Sequence, residues 1–152
     1  MGSPKIRVKA QVLIKHDDKV LVYRVRDIKS NTHIYRLIGG RVEFGELSEK
    51  AAVREFYEET QIEVHNAKHV GCFESIYIIN EKEKHEFVQI YACEFVDQTC
   101  YSKKSIRVIE GDEVQNDAEW VDAKFLSLKS TPFYPEKLKE ILTDKFLENK
   151  KI

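Results

Sequence analysis

The stretch Leu47–Thr60 combines an acidic stripe and an apolar stripe at helical spacing, and it lies between runs that alternate as β-strands do. Successive residues of a helix are turned by about 100° around its axis. Three carboxylates therefore share an arc of about 100°, and two apolar residues border that arc. The carboxylates are those of Glu55, Glu58 and Glu59, and the apolar residues are Ala52 and Phe56. Such a helix packs its apolar stripe on a sheet and leaves its carboxylates at the edge of a cleft.

The order of the other patterns predicts a mixture of strands and helices. Before the helix, strands are predicted at Ile6–Ile14, Lys19–Val25 and Ile34–Ile38, with a loop at Asp27–His33. After it, strands are predicted at His69–Ile79, Glu86–Val96 and Glu119–Asp122, with a loop at Glu110–Asp117. Pro135 is predicted to open a closing helix with the apolar stripe Leu138, Ile141, Leu142 and Phe146. This order favours an α+β fold or an α-β-α sandwich over a doubly wound parallel sheet.

Length and composition are those of one folded domain. The chain has 152 residues, of which 42% are hydrophobic and 34% charged, as expected for a globular protein. Its formal net charge of −1 gives no field that favours nucleic acid or an anionic membrane. A bound metal would still attract a phosphorylated ligand. Because there is no repeat or linker, we assign a single domain to residues 1–152, with residues 1–4 either disordered or left by cloning.

The sequence also indicates in which cellular compartment the protein is expected. No apolar run approaches the roughly 20 residues that span a bilayer, and the N-terminus lacks a signal pattern. Cys72, Cys93 and Cys100 form an odd set without a CxxC pair, which favours a reducing compartment. The expected location is therefore the cytosol, with no membrane partner.

Taken separately, the acidic and glycine residues have ordinary explanations. Glutamates on a charged helix usually form a solvated face, and Arg54 could simply pair with Glu58 at i,i+4 spacing. Gly39-Gly40 and Gly45 could form plain turns, and no Lys-Ser/Thr follows them as in a Walker loop. Carboxylates at i,i+4 spacing repel by on the order of a few tenths of a kcal/mol, and a hard divalent cation would reverse that sign.

The combined spacing is more specific than its parts. Gly40 is followed after five residues by Glu46, and after seven more by the run Arg54-Glu55-Phe56-Tyr57-Glu58-Glu59, with Ile62 behind it. This spacing resembles the Nudix box, a loop-helix-loop motif that binds Mg²⁺ or Mn²⁺ and a diphosphate in its family. A preceding strand and Glu119-Trp120-Val121 resemble that family too. The resemblance covers about residues 6–146, of which 39–62 are diagnostic.

The resemblance implies an α-β-α sandwich with a mixed sheet and a hydrolase that cuts the phosphoanhydride bond of a nucleoside diphosphate linked to a group X. It implies that Mg²⁺, or Mn²⁺, is bound by Glu55, Glu58 and Glu59, with Glu46 near the metal. Glu55 and Glu58 take catalytic roles in this scheme. The small-molecule substrate would be a nucleotide.

Other positions of the motif have supporting roles in the family. Arg54 would brace the loop and the helix, and Gly40 would let the backbone turn close to the site. Arg41 is a candidate contact for the phosphates. Two positions depart from the family pattern. Gln61 replaces a glycine, where a left-handed conformation costs about 1 kcal/mol, and Ile38 stands where proline is common.

Outside the motif the assignments are less specific. Glu113 is the candidate general base on a later loop, and a solvated acid beside Glu110 and Asp112 is its alternative. His65 and His69 would form a metal pair only on a helix, and their stretch predicts a strand or turn. Candidate substrate contacts, each equally an ordinary packing or surface residue, are Arg24, Tyr35, Arg36, Arg41, Phe44, Tyr77, His85 and Phe87.

Three other functions remain open at this stage. A catalytically silent nucleotide-binding domain is disfavoured by the intact glutamates. Removal of an RNA 5′ pyrophosphate is disfavoured because no basic stripe is present. A structural domain with an accidental match is the third. The group X is undetermined among a sugar, a second nucleoside, an oxidised base and a coenzyme, and a homodimer is open because the closing helix's apolar stripe could serve a partner chain.

Overall fold

The computed structural model describes residues 3–110, 113–114 and 116–142. The strands are β1 (Ile6–Leu13), β2 (Lys15–His16), β3 (Lys19–Asp27), β4 (Thr32–Arg36), β5 (Ile38–Arg41), β6 (Val64–Ile79), β7 (Lys82–Phe95), β8 (Ser105–Ile106), β9 (Ile109–Glu110), β10 (Glu113–Val114), β11 (Ala118–Asp122) and β12 (Phe133–Tyr134). The helices are α1 (Ser48–Thr60) and the single turn α2 (Ala123–Leu126), and 3₁₀ turns span Gln98–Ser102 and Glu136–Glu140.

The strands form two mixed sheets and a small ribbon. The first sheet has the order β5-β1-β7-β6, in which β1 and β7 run parallel and the other pairs antiparallel. The second has the order β12-β4-β3-β11-β8, with β2 paired to β3 and with β12 parallel to β4. The ribbon pairs β9 with β10. Long strands β6 and β7 are joined by Asn80 and Glu81, whose positive φ values of 50° and 65° suit a tight hairpin turn.

Helical segments cover opposite faces of the strands. Successive side chains of a strand point to opposite faces, so Val12 of β1 packs in the core that contains Phe56 of α1. Its neighbour Leu13 belongs to a second core, which contains Leu126 of α2 and Leu138 of the last 3₁₀ turn. The α1 helix therefore lies on one side and the short helical turns on the other. The predicted α+β class with mixed sheets is confirmed.

Several predicted elements have different bounds in the structure. The strand predicted at Ile34–Ile38 is two strands, because the chain crosses at the fully buried Leu37 from β4 in one sheet to β5 in the other. Part of the predicted loop at Glu110–Asp117 pairs as the β9–β10 ribbon.

The closing helix differs as well. Pro135 follows a cis peptide bond and precedes a 3₁₀ turn, whose i→i+3 bonds include Leu138 N–H to the Pro135 carbonyl at 3.0 Å. Leu138 and Leu142 are fully buried, as the stripe predicted. Phe146 lies outside the described residues. Within those residues neither helix has the length and apolar character needed to cross a bilayer.

Candidate active site

The α1 helix presents its acidic edge beside β5. Ala52 and Phe56 are fully buried against the first sheet, which confirms the predicted apolar stripe, and Ala51 is buried with them. The acidic stripe next to it is graded in depth: 54% of the Glu58 side chain is exposed and 20% of the Glu55 side chain. Glu59 is only 5% exposed. The helix therefore carries its three carboxylates from the surface into the interior.

Arg54 links this helix to the loop before it. Its Nε and Nη2 donate to the two carboxylate oxygens of Glu46 at 2.8 and 3.0 Å, a bidentate pair. Nη2 also donates to the Arg41 carbonyl at 3.2 Å. Hydrogen bonds from Arg54 and from the Glu43 N–H lower the pKa of Glu46, and the same pairing raises the pKa of Arg54. Arg54 therefore braces loop and helix as the family resemblance implied.

Arg54 also contacts two of the predicted metal ligands. Its Nη1 donates to Glu55 at 3.0 Å and to both carboxylate oxygens of Glu58 at 3.1 Å. Burial raises the pKa of Glu55, and the Arg54 hydrogen bond opposes that shift. Among the described residues, no three acidic, imidazole or thiol side chains are already grouped as metal ligands. The convergence of Glu55, Glu58 and Glu59 on one cation stays a prediction.

Gly40 lies within β5 and its φ is not positive, so no turn requires a glycine there. Glycine is needed instead because the Glu55 side chain approaches the backbone closely. A Cβ atom at Gly40 would overlap the carboxylate of Glu55, so only glycine leaves room for that side chain. The true turn lies at Gly45, whose φ is +80° and which follows Phe44 in a turn closed by the Glu46 N–H and the Glu43 carbonyl at 3.0 Å. Glycine is suited to that position of a turn.

Glu59 has the least favourable environment of the three glutamates. Both of its carboxylate oxygens are buried and have no hydrogen-bond partner among the described residues. Burial raises its pKa to about 8, and the negative charges of Glu110 and Glu55 add to the shift. Lys9 and Arg36 act in the opposite direction. A buried carboxylate without a donor or counterion is costly, so a cation that coordinates it would lower the free energy.

The described residues form two recesses that bear on this acidic edge: one contains Arg36, whose charge acts on Glu59, and the other contains Glu55. We call the first the inner cleft; it lies between the two sheets, and its polar lining consists of Gln11, Arg36, Ser75, Tyr77, Glu86 and Tyr134. Its volume of about 10 Å³ is close to what one water molecule requires. Lys9 and the Tyr77 hydroxyl pair with Glu86 at 2.8 and 3.2 Å, while the buried Gln11 Oε1 has no partner among the described residues.

We call the second recess the outer groove. It is open, has a volume of about 490 Å³, and is lined by Ile6, Arg7, Val8, Arg41, Val42, Glu43, Phe44 and Glu55. The groove thus shares Glu55 with the acidic edge. Of the predicted substrate contacts, Arg41 and Phe44 lie here, whereas Arg36 and Tyr77 line the inner cleft.

Other predicted contacts lie away from the acidic edge. Arg24 pairs with Glu119 at 3.5 Å, and Tyr35 packs edge-on against Phe125. His85 pairs with Glu74 at 2.8 Å and stacks on Phe87. These last two alternate along β7 with Glu86, so they lie on the face opposite the inner cleft.

The histidine pair does not form a metal site. His65 and His69 lie on β6 with a register irregularity between them, and His69 Nε2 is hydrogen-bonded to Gln89 at 2.7 Å. The side chain of Glu113 lies outside the described residues. Glu110, on the strand paired with Glu113, is the acidic residue that the sequence prediction missed as a neighbour of Glu59. The only sequence signal for Glu110 was its position in an acidic loop.

The α1 helix ends at Gln61, one of the two positions that depart from the family pattern. Gln61 has a left-handed backbone, with φ 62° and ψ 24°, where glycine is usual. Its side-chain amide donates to the Tyr57 and Glu58 carbonyls at 3.3 and 3.4 Å. The side chain therefore satisfies carbonyls at the helix end and offsets part of the backbone strain.

Comparison with known proteins shows the family to which the chain belongs. The NUDIX domain model matches residues 5–144. NudC of Edwardsiella ictaluri, a NAD-capped RNA hydrolase, is 37% identical over 67 residues, which are 44% of this chain and 25% of that protein. The aligned part thus spans about a quarter of the curated relative.

Solved structures agree on the fold. The MutT NUDIX hydrolase of Burkholderia pseudomallei has a TM-score of 0.64 and 22% identity, over 89% of this chain and 95% of that one. The ORF135 protein of E. coli has a TM-score of 0.61 and 19% identity, over 99% of this chain and 96% of that one. Because the NUDIX domain model spans nearly the whole chain and includes the Gly40–Ile62 motif, this protein belongs to the Nudix hydrolase family.

Proposed function

We propose that this protein hydrolyses a phosphoanhydride bond in a nucleoside diphosphate linked to a second group, with Mg²⁺ or Mn²⁺ as cofactor. The observation that carries the proposal is the Glu59 carboxylate, which is buried without a partner among the described residues next to two further glutamates. The alternative of a catalytically silent nucleotide-binding domain gives no reason for retaining that costly group.

The residues present fit a hard divalent cation. Mg²⁺ prefers oxygen ligands and commonly uses a few carboxylates together with phosphate oxygens and water. Glu55, Glu58 and Glu59 would hold it, with Glu46 near by. A cation there supplies positive charge against the diphosphate and makes a water more acidic. The donor set contains no soft sulfur ligand, which suits Mg²⁺ or Mn²⁺ better than a thiophilic metal.

The protein's own groups position these ligands. Arg54 holds Glu55 and Glu58 on one guanidinium, and Glu46 fixes that guanidinium from the loop side. Gly40 leaves space for the Glu55 carboxylate. Arg41, whose carbonyl Arg54 binds, lines the outer groove, where its guanidinium would contact phosphate.

A carboxylate must accept the proton of the attacking water. The β9–β10 ribbon offers two, Glu113 and Glu110. The negative charge of Glu110 acts on both Glu59 and Glu55, so Glu110 lies within electrostatic reach of the predicted metal ligands. We assign the base to this ribbon, with Glu110 added to Glu113 as a candidate.

The direct test is hydrolysis of a panel of nucleoside diphosphate derivatives with Mg²⁺ and detection of released phosphate. Glu58→Gln and Glu59→Gln should each lower kcat by about a hundredfold or more, because a ligand of the charge-stabilising cation is lost. Glu49→Gln, an exposed glutamate in the first turn of the same helix, is the matched control and should retain the wild-type rate. Wild-type rates in both site variants would refute the assignment.

A second candidate substrate comes from the relative in Edwardsiella ictaluri, which acts on NAD-capped RNA. The chain's formal charge of −1 disfavours tight binding to an RNA backbone. Free NAD and NAD-capped RNA should be compared in the same panel. A faster reaction with the capped RNA, weakened by salt, would favour this second candidate. The cytosolic location and a homodimer stay predictions.

A further inference from the structure

We propose that the outer groove is a nucleotide-binding subsite, in which Arg7 and Arg41 hold a phosphate and Phe44 stacks on the base. The inference rests on the proposed function, because Glu55 is both a wall of this groove and a predicted ligand of the cation at the scissile diphosphate. A group in the groove would therefore be joined directly to the phosphate that the site attacks.

The groove has the dimensions of a ligand site. Its volume of about 490 Å³ falls within the range of roughly 300–1,000 Å³ typical of small-molecule pockets. The inner cleft, at about 10 Å³, has no space for a base in this structure. Of these two recesses, the outer groove is the one that can accept a nucleoside without rearrangement.

The charges of the groove suit a phosphate. Arg7 and Arg41 are exposed, and neither guanidinium has an ion pair or a hydrogen bond among the described residues. The groove contains two acids, and Arg54 is close to both: Glu55 accepts a hydrogen bond from its Nη1 at 3.0 Å, and Glu43 Oε1 lies 3.9 Å from its Nη2. Guanidinium groups bind phosphate oxygens through short, directed hydrogen bonds. The two free arginines are thus available to an anion at this end of the groove.

The remaining lining suits a flat apolar ring. The Phe44 side chain is fully exposed, and Ile6 and Val8 are 60% and 46% exposed, so they offer apolar surface to a ligand. The polar side chains of the lining are all charged, and the exposed Glu43 carboxylate can accept a hydrogen bond from a sugar hydroxyl. Stacking on an aromatic ring accepts any base. A phosphate joined to a base therefore fits this lining better than a phosphate or a sugar alone.

The backbone that carries Phe44 is held in place, although the ring itself is exposed. The turn that carries it is closed by the Glu46 N–H and the Glu43 carbonyl at 3.0 Å, and the Glu46 carboxylate accepts from the Glu43 N–H at 3.1 Å. Glu46 is fixed in turn by Arg54, which also binds the Arg41 carbonyl. The same guanidinium thus helps to fix the backbone on which both the phosphate contact and the stacking ring are carried, so little backbone entropy remains to be lost on binding.

The test is calorimetric titration of the metal-free protein with three probes: adenosine monophosphate, inorganic pyrophosphate and adenosine. Arg7→Gln and Arg41→Gln should each weaken binding of the monophosphate and pyrophosphate by about tenfold, and leave adenosine unchanged. Phe44→Ala should weaken the monophosphate and adenosine by about tenfold and leave pyrophosphate unchanged. Arg26→Gln and Phe125→Ala are matched controls on exposed residues outside the groove and should leave all three affinities unchanged.

Three results would overturn the proposal. The first is no binding of adenosine monophosphate by the wild type at millimolar concentration. The second is weakening by Arg36→Gln in the inner cleft but not by Arg41→Gln. The third is a dimer in sedimentation velocity that Phe44→Ala dissociates, since a second copy would then cover the groove. Loss of Mg²⁺-dependent hydrolysis with intact nucleotide binding would instead count against the proposed function alone.

Discussion

The two sides of the acidic edge of α1 treat their carboxylates differently. On the outer side, Glu55 and Glu58 share one guanidinium, that of Arg54, and face an open groove. On the inner side, Glu59 is buried without a donor among the described residues, and the charge of Arg36, which lines the inner cleft, acts on it. The outer carboxylates are hydrogen-bonded without a cation, whereas the inner one is not.

From this difference we expect the two sides of the helix edge to have different functions, substrate contact on the outer side and cation binding on the inner side. Arginine pairing holds the outer carboxylates in position, which suits groups that must meet a charged substrate. Burial without a donor raises the free energy of the inner carboxylate, so coordination of a cation there recovers more energy than it would at the surface. The affinity for the cation should therefore depend most on Glu59, and the affinity for the substrate on the outer side.

The largest expected effect is on the pH dependence of stability without metal. The pKa of Glu59 is raised to about 8 from an ordinary value of 4.5, so between those pH values the folded state retains a proton that the unfolded chain has released. The free energy of unfolding should then be highest below pH 4.5 and fall as the pH rises to 8. Above pH 8 it should be lower by at most about 5 kcal/mol. Urea unfolding in EDTA at pH 5 and pH 8 measures the fall.

Glu59→Gln isolates this contribution. The glutamine has no proton to release, so the decrease between pH 5 and pH 8 should be smaller in the variant by most of that amount. Glu58→Gln, on the exposed outer side, serves as the control and should follow the wild type. Equal decreases in wild type and Glu59→Gln would show that the inner carboxylate is not the group that is costly to ionise.

Substitutions at the adjacent residues Gly39 and Gly40 allow a direct comparison of two close contacts. A Cβ at Gly39 would overlap the Ala10 carbonyl and lie 2.6 Å from the Gln11 Cα, which are backbone atoms that cannot move away. A Cβ at Gly40 would overlap only the flexible end of Glu55. Gly39→Ala should therefore cost about 3 kcal/mol of unfolding free energy, and Gly40→Ala about 1 kcal/mol or less.

The loss of activity should follow a different order from the loss of stability, because Gly40→Ala displaces Glu55, a predicted metal ligand. We expect that variant to lose most of its hydrolysis while remaining folded, as measured by urea unfolding and the phosphate assay on the same samples. A Gly40→Ala protein with full activity would mean that the position of Glu55 against β5 does not matter for the reaction.

A smaller effect is expected from adding the cation. Mg²⁺ at ten times its dissociation constant should raise the free energy of unfolding by about 1.4 kcal/mol, since it binds the folded state. Thermal unfolding with and without Mg²⁺ measures this. Glu59→Gln should abolish the increase, whereas Glu49→Gln should retain it. An undiminished increase in Glu59→Gln would place the cation elsewhere.

Much of the acidic edge could be predicted from helical spacing. Glu58, Glu55 and Glu59 follow one another around the helix toward the apolar stripe, and their side chains become progressively more buried in that order. The angle from the apolar face therefore predicts which carboxylate is desolvated. The strands and the mixed α+β class also followed from local alternation and element order.

Contacts between distant segments were not predictable in this way. The approach of Glu110 to Glu59, the inner cleft between two sheets and the overlap of Gly40 with Glu55 all depend on how separate elements pack. The closing segment shows the same limit, since an apolar spacing of three and four residues does not distinguish a 3₁₀ turn from the start of an α-helix.

The smallest effect is expected at Gln61, which ends the helix beyond both recesses. Gln61→Gly should stabilise the protein by about 0.5 kcal/mol, because glycine accepts the φ of 62° without strain but loses the amide bonds to the Tyr57 and Glu58 carbonyls. Gln61→Ala keeps the strain and loses those bonds, so it should destabilise. Hydrolysis rates should change less than about twofold in both, since a tenfold change needs about 1.4 kcal/mol at the transition state. A larger loss of rate in Gln61→Gly than in Gln61→Ala would show that the left-handed glutamine itself sets the position of Glu58 and Glu59.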